Sequence, residues 1–233
     1  MSLTVKYLVE ARTCLLKIVA VYVFLFLVCW WQSESLIAWW VPFYGAQGMI
    51  ITQLPQAILA PMNLSAFVAF LLSVPWVLLQ VFQFVVPALY QDERQCVLVG
   101  VCLGTFLFYL GVLISIYWVV PWVFYSLTSW APQGVQVWPD IQHTLSMVTQ
   151  LHLVFGFVFE TPLLMGLLVY MGWLSMEQIT KVRPYTIIGC FTLGMLLTPP
   201  DVVSQVLVAI PLWLFIEAGA WVGNYLKITQ KTP

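Results

Sequence analysis

A single carboxylate interrupts the run LHLVFGFVFETPLLMGLLVYMG, residues 151 to 172: Glu160, followed by Thr161 and Pro162. An acid at bilayer depth costs about 2.5–3.5 kcal/mol on insertion scales, so it calls for a hydrogen-bonding partner, a counter-charge or a proton. Pro162 has no N–H for the carbonyl of Val158, so the helix is expected to kink and open locally beside the carboxylate. That is the chemistry of a recognition point more than of packing. A second acid, Glu217 in IPLWLFIEAGAWVGNYL, lies nearer the end of its apolar run and reads as structural, snorkelling or meeting the Lys227 side. Charges also gather at two other apolar-segment ends, Glu10 and Arg12 in KYLVEARTCLL and Asp92, Glu93 and Arg94 in PALYQDERQ. Read plainly, these are solvated helix ends. Read together, they form an acidic pocket that would attract a basic ligand, since guanidinium groups match carboxylates through paired hydrogen bonds.

Covalent chemistry finds no support. The phosphate-cradling G-x-x-x-x-G-K-[ST], the zinc-binding H-E-x-x-H and the nucleophile elbow G-x-S-x-G are all absent from the sequence. His143 and His152 stand nine apart with no acid at ligand spacing, and read as one interfacial histidine and one bonded between helices. Ser73, Ser115, Ser146 and Thr149 suit backbone or helix-to-helix hydrogen bonds. The five cysteines form no C-x-x-C pair. No catalytic residue, metal site or cofactor is expected.

The elements that must carry these residues are membrane helices. The chain is 62% hydrophobic and 7% charged, against roughly 25% charged residues in soluble domains. Net charge is -1, with no basic field for nucleic acid. Six apolar segments stand out, 15–31, 64–86, 97–125, 143–172, 185–197 and 203–221, and the first is read as a retained span because Trp30 and Trp31 close it where a cleavage site would need small residues. The last two are short; Thr198, Pro199, Pro200 and Asp201 divide them, so two helices joined by a turn are expected instead of one long span. With six spans, Lys6, Arg12, Lys17, Arg94, Lys181, Arg183, Lys227 and Lys231 all fall on one side, which the positive-inside rule makes cytoplasmic along with both termini. The outer stretch from Gln32 to Asn63 is broken by Pro42, Gly45, Gly48, Pro55 and Pro61; its Trp39, Trp40, Phe43 and Tyr44 suit a short interfacial helix and a cap. The expected architecture is an all-α integral membrane protein with one domain over residues 1–233.

Several separated stretches, FVVPALYQDER (84–94), APQGVQVWPDI (131–141), FGFVFETP (155–162), KVRPY (181–185) and GMLLTPPDVVSQVLVAIP (194–211), resemble the TatC family, the large subunit of the twin-arginine protein translocase. The resemblance runs nearly the whole length. It implies a cup-like bundle of six helices in the bacterial cytoplasmic membrane, working as a core receptor for signal peptides that carry consecutive arginines and exporting folded proteins with the proton-motive force. It places the arginine-pair readers on Glu10 and Glu93, and further signal-peptide positions on Arg12, Arg94, Phe84 and Leu89. It makes Glu160, with Thr161 and Pro162, the contact for a polar residue of TatA-like or TatB-like single-span subunits, adds Asp201 and Gln205 to that contact region, and gives Pro42, Pro75, Pro87, Pro199 and Pro200 structural roles. An oligomeric complex surrounded by lipid follows, with no cofactor and no nucleic acid. The chain departs from the family pattern at Tyr7, where a histidine is usual, and at Cys14, where a basic residue is usual. Without these motifs, the alternative is a proton-coupled small-molecule transporter that titrates Glu160.

Overall fold

The structure is a computed structural model that describes residues 3–44, 49–85, 94–129, 138–197 and 202–231. Among these every regular element is helical: α1 (Leu3–Trp31), α2 (Ser33–Tyr44), α3 (Gln56–Val85), α4 (Arg94–Ile114), a π turn (Ser115–Val119), α5 (Val120–Ser129), α6 (Ile141–Tyr170), α7 (Met176–Leu197) and α8 (Val202–Lys231). Five stretches of the described residues are long and apolar enough to cross a membrane: 9–31, 56–81, 99–129, 141–170 and 205–228. They coincide with five of the six segments read from hydropathy. The sixth lies in α7, whose Glu177, Lys181 and Arg183 leave only the fourteen residues from Pro184 to Leu197 free of charge, about 21 Å of helix against about 30 Å of hydrocarbon.

The last two helices are longer than the apolar segments that announced them. α7 starts nine residues early because Ser175 and Gln178 form a reciprocal capping box: the Ser175 N–H donates to Gln178 Oε1 at 2.9 Å and the Gln178 N–H to Ser175 Oγ at 3.2 Å. α8 continues past Trp221 through the polar tail to Lys231, because a helix does not need apolar residues once it leaves the hydrocarbon. As expected, α7 and α8 are separate helices. They lie side by side, with Gln205 Nε2 donating to the Phe191 carbonyl at 3.0 Å.

The chain forms two compact units, residues 1–105 with 133–149 and residues 106–132 with 150–233. In the first, α1 and α3 run antiparallel. Tyr22 Oη donates to the Ala66 carbonyl, Ser65 Oγ to the Cys29 carbonyl, and Cys14 Sγ to the Gln80 carbonyl. Their shared face buries Cys29, Leu64, Ser65, Ala69, Ser73 and Val74, while Leu15, Leu16, Val23, Phe24 and Leu27 face outward as a lipid-facing helix requires. The twelve-residue α2, SESLIAWWVPFY, is the short helix expected after the first span.

The second unit is held by close backbone approach. A Cβ added at Gly219 would lie 2.3 Å from the Pro162 carbonyl oxygen, and one at Gly223 would lie 2.3 Å from that of Gly166. Positions 219 and 223 on α8 thus sit against 162 and 166 on α6, the small-xxx-small crossing by which membrane helices gain van der Waals contact without a hydrophobic drive. α6 ends in a Schellman turn: Gly172, at φ 76°, donates to the Val169 carbonyl, and Trp173 donates to that of Leu168. Val169, Ile179 and Ala220 close a small core there, joined by Met165, Leu174 and Met176.

Candidate functional site

Glu160 sits in the second unit on α6, only 7% exposed, and its Oε1 has no hydrogen-bond partner among the described residues. The expected opening beside it is closed. α6 runs through Pro162 without ending, and the Val158 carbonyl that Pro162 cannot serve accepts instead from Thr161 Oγ1 at 2.7 Å. Thr161 therefore supports the helix next to the acid, and Pro162 supplies the carbonyl against which Gly219 packs. Eight residues earlier on α6, about two turns away, His152 Nδ1 lies 2.9 Å from the buried Ser115 Oγ at the start of the π turn. This is the helix-to-helix hydrogen bond expected for that histidine. Ser73 and Thr149 bond backbone carbonyls within their own helices, as their sequence context suggests.

Glu217 is structural, as the sequence reading has it, but with a different partner. It neither snorkels nor turns to the Lys227 side: the Arg183 guanidinium grips it with both arms, Nε to Oε1 at 2.6 Å and Nη2 to Oε2 at 2.8 Å. The paired fork is the strong form of an ion pair, and here it ties the charged end of α7 to α8. Sequence separation of 34 residues hid it. The retrospective signal is that Arg183 stands two residues before the apolar segment of α7, and Glu217 near the end of the apolar segment of α8.

In the first unit, Glu10 is half-buried on α1 and Arg12 is exposed; the Glu10 carboxylate makes no ion pair with a described residue. Thr13 Oγ1 donates to the Glu10 carbonyl, which fixes backbone and leaves the carboxylate available. Phe84 lies in the last turn of α3 and Arg94 opens α4. Pro42 lies within α2, and Pro75 lies inside α3. Pro87, Leu89, Glu93, Pro199, Pro200 and Asp201 lie outside the described residues. Gln205, expected at a partner contact, spends its amide N–H on the α7 backbone.

Asp140 falls in the stretch APQGVQVWPDI, where the sequence reading gave it no role of its own. It caps α6, with Oδ1 accepting from the His143 N–H at 3.0 Å, while Oδ2 accepts from Thr52 Oγ1. The Ile50 N–H donates to the Pro139 carbonyl, and the Ile141 N–H donates to the Ile50 carbonyl, so the 49–56 stretch is stitched to the start of α6. The Thr52 hydroxyl, and then the His143 amide, hold the Asp140 carboxyl at about 2, below its ordinary 3.8. Because the folded value is the lower one, the tether's contribution is complete above pH 3.8 and is lost as pH falls towards 2. With only two histidines in the chain, 15N-histidine labelling resolves the His143 amide; its shift is expected to titrate with a midpoint near 2, moving up towards 3.8 in Thr52→Val. A wild-type midpoint already at the ordinary value would remove the tether.

With this geometry in place, comparison with known proteins gives one family. The family model described as Sec-independent protein translocase protein (TatC) matches residues 6–211. The chain belongs to the TatC family. It is 36% identical over 232 residues to the Sec-independent protein translocase protein TatC of Escherichia coli (strain K12), covering 95% of this chain and 88% of the relative. It is 38% identical over 228 residues to the TatC of Haemophilus influenzae (strain Rd), covering 96% and 89%. A crystal structure described as the twin arginine translocase receptor TatC superposes with a TM-score of 0.82 at 27% identity, over 94% of this chain and 98% of that one. The match to the TatC family takes in every position from Glu10 to Gln205 that the sequence singled out, and the Arg183–Glu217 fork joins a matched residue to one beyond its end.

Proposed function

We infer that this TatC-family chain, a multipass membrane protein, is the core subunit of a twin-arginine translocase in a bacterial inner membrane, and that it reads twin-arginine signal peptides with Glu10 and Glu93. In this reading the whole chain is one membrane domain of six spans, with α7 as the short fifth, both termini cytoplasmic and all eight basic residues on the inner side. Export draws on the proton-motive force, and TatA-like and TatB-like single-span subunits complete the complex at Glu160, with Thr161, Pro162, Asp201 and Gln205 forming the surrounding contact region. Arg12, Arg94, Phe84 and Leu89 flank the peptide, and Pro87, Pro199 and Pro200 shape the turns beside these sites. The observation that carries the reading is the continuous likeness to TatC proteins across residues 6–211; a half-buried Glu10 without an ion-pair partner among the described residues supports its role as an arginine reader.

The test is photocrosslinking of a twin-arginine signal peptide to the purified chain. Charge reversal by Glu10→Lys together with Glu93→Lys replaces two attractions with two repulsions, and loss of a carboxylate–guanidinium hydrogen bond alone is worth about 1.5–3 kcal/mol, more than tenfold in affinity. Peptide binding is expected to fall at least that far. Undiminished crosslinking in the double variant would overturn the assignment.

A further inference from the structure

We propose that the stretch MIITQLPQAIL, residues 49–59, is a wedge that seats the first unit in the acyl–headgroup boundary of the lipid leaflet at the outer end of α3. Its polarity is inside out. Leu54 at the tip is 91% exposed, with Ile58 at 64%, Ile51 at 56% and Ile50 also exposed, whereas Gln56 is 4% exposed. The polar groups are spent on one another, with only Gln56 buried: Gln56 Oε1 accepts from the Thr52 N–H at 3.0 Å, Gln56 Nε2 donates to Thr52 Oγ1 at 3.0 Å, and the exposed Thr52 Oγ1 donates on to Asp140. A water-facing loop does the reverse, and exposed apolar clusters of this kind mark contact with something apolar.

Three further observations select lipid as the occupant. The stretch contains no charged residue, so it offers no handle for a charged partner. Its exposed apolar side continues into the first turns of α3, where Leu59 and Met62 are exposed, and Leu72 is exposed farther along the same membrane-capable stretch 56–81. That stretch of 26 residues measures about 39 Å at 1.5 Å per residue, which exceeds the hydrocarbon core but fits the roughly 40–45 Å that includes both headgroup layers. Leu54, two residues before α3 begins, then falls at the boundary where amphipathic segments bury their apolar side chains. Gln53, exposed beside it, meets the headgroups. The Asp140 tether holds the wedge at that depth by fixing its base to α6.

The experiment places p-benzoylphenylalanine at position 54 of the full chain, reconstituted alone in vesicles of phosphatidylethanolamine and phosphatidylglycerol, and reads intact-protein mass after irradiation. Leu72, exposed in mid-helix, serves as the lipid-facing reference, and Glu177, exposed and charged, as the water-facing one. Lipid-mass adducts at position 54, comparable in yield to those at 72 and absent at 177, are the expected result. Crosslinking to a second copy in place of lipid, or a position 54 as free of adduct as 177, would overturn the wedge.

Discussion

Gly219→Ala is expected to unfold the second unit at conditions where Gly189→Ala leaves it intact. At Gly189 an added Cβ meets nothing within 4 Å, whereas at Gly219 it meets the Pro162 carbonyl oxygen at 2.3 Å and the Pro162 Cα at 2.6 Å. The obstacle is backbone on both sides, so no rotamer change relieves it, and α6 and α8 must separate along their whole crossing. Overpacking costs about 1–3 kcal/mol where side chains can give way, and more where they cannot. The same substitution in an unobstructed helix gains up to about 1 kcal/mol from propensity. The two variants should therefore move in opposite directions: thermal unfolding of the purified protein in detergent shows Gly219→Ala and Gly223→Ala well below wild type and Gly189→Ala at or slightly above it. Equal shifts at 189 and 219 would mean that helix propensity, and not the α6–α8 contact, governs these sites. The functional stake is direct, because Pro162 is two residues from Glu160, and whatever moves the α6 backbone there moves the acid.

That contact also shows where sequence reading stops. The spans were legible because twenty apolar residues in a row leave the chain few alternatives in lipid, and Glu160 was legible because one acid in such a run has no ordinary explanation. The glycines of AGAWVG were not, since a close-approach glycine looks the same as a permissive one until its neighbour across the interface is known. Arg183 and Glu217 failed for the same reason: each looked like an isolated charge near a membrane surface, and only the antiparallel packing of α7 on α8 brings the fork to the carboxylate. The early start of α7 was present in the sequence as Ser175-Met176-Glu177-Gln178, a capping box that a hydropathy reading passes over because it is polar. Asp140 needed a residue 88 positions away, Thr52, to become a tether.

Glu160→Ala is expected to separate assembly from folding. The buried Oε1 makes no hydrogen bond among the described residues, so its removal forfeits no hydrogen bond there, and an unsatisfied buried polar group costs about 1–3 kcal/mol that the variant no longer bears. The isolated chain should melt no lower than wild type, and twin-arginine peptide should still crosslink near Glu10. Co-purification with single-span partners should fall, because a helix-to-helix hydrogen bond in a membrane is worth about 1–2 kcal/mol, roughly five- to thirtyfold in affinity. Glu160→Gln then distinguishes the chemistry of the contact. A glutamine keeps size, donor and acceptor but carries no charge; if the acid works as a neutral hydrogen-bonding group, assembly survives the change, and if it works as a carboxylate, assembly fails as it does with alanine. A Glu160→Ala chain that assembles normally but loses the peptide would place Glu160 at the receptor function and not at the partner contact. The acid in α6 thus has a specific prediction attached to it: under the proposed partner contact, a side chain that costs the isolated protein stability makes to another chain the hydrogen bond it lacks among the described residues.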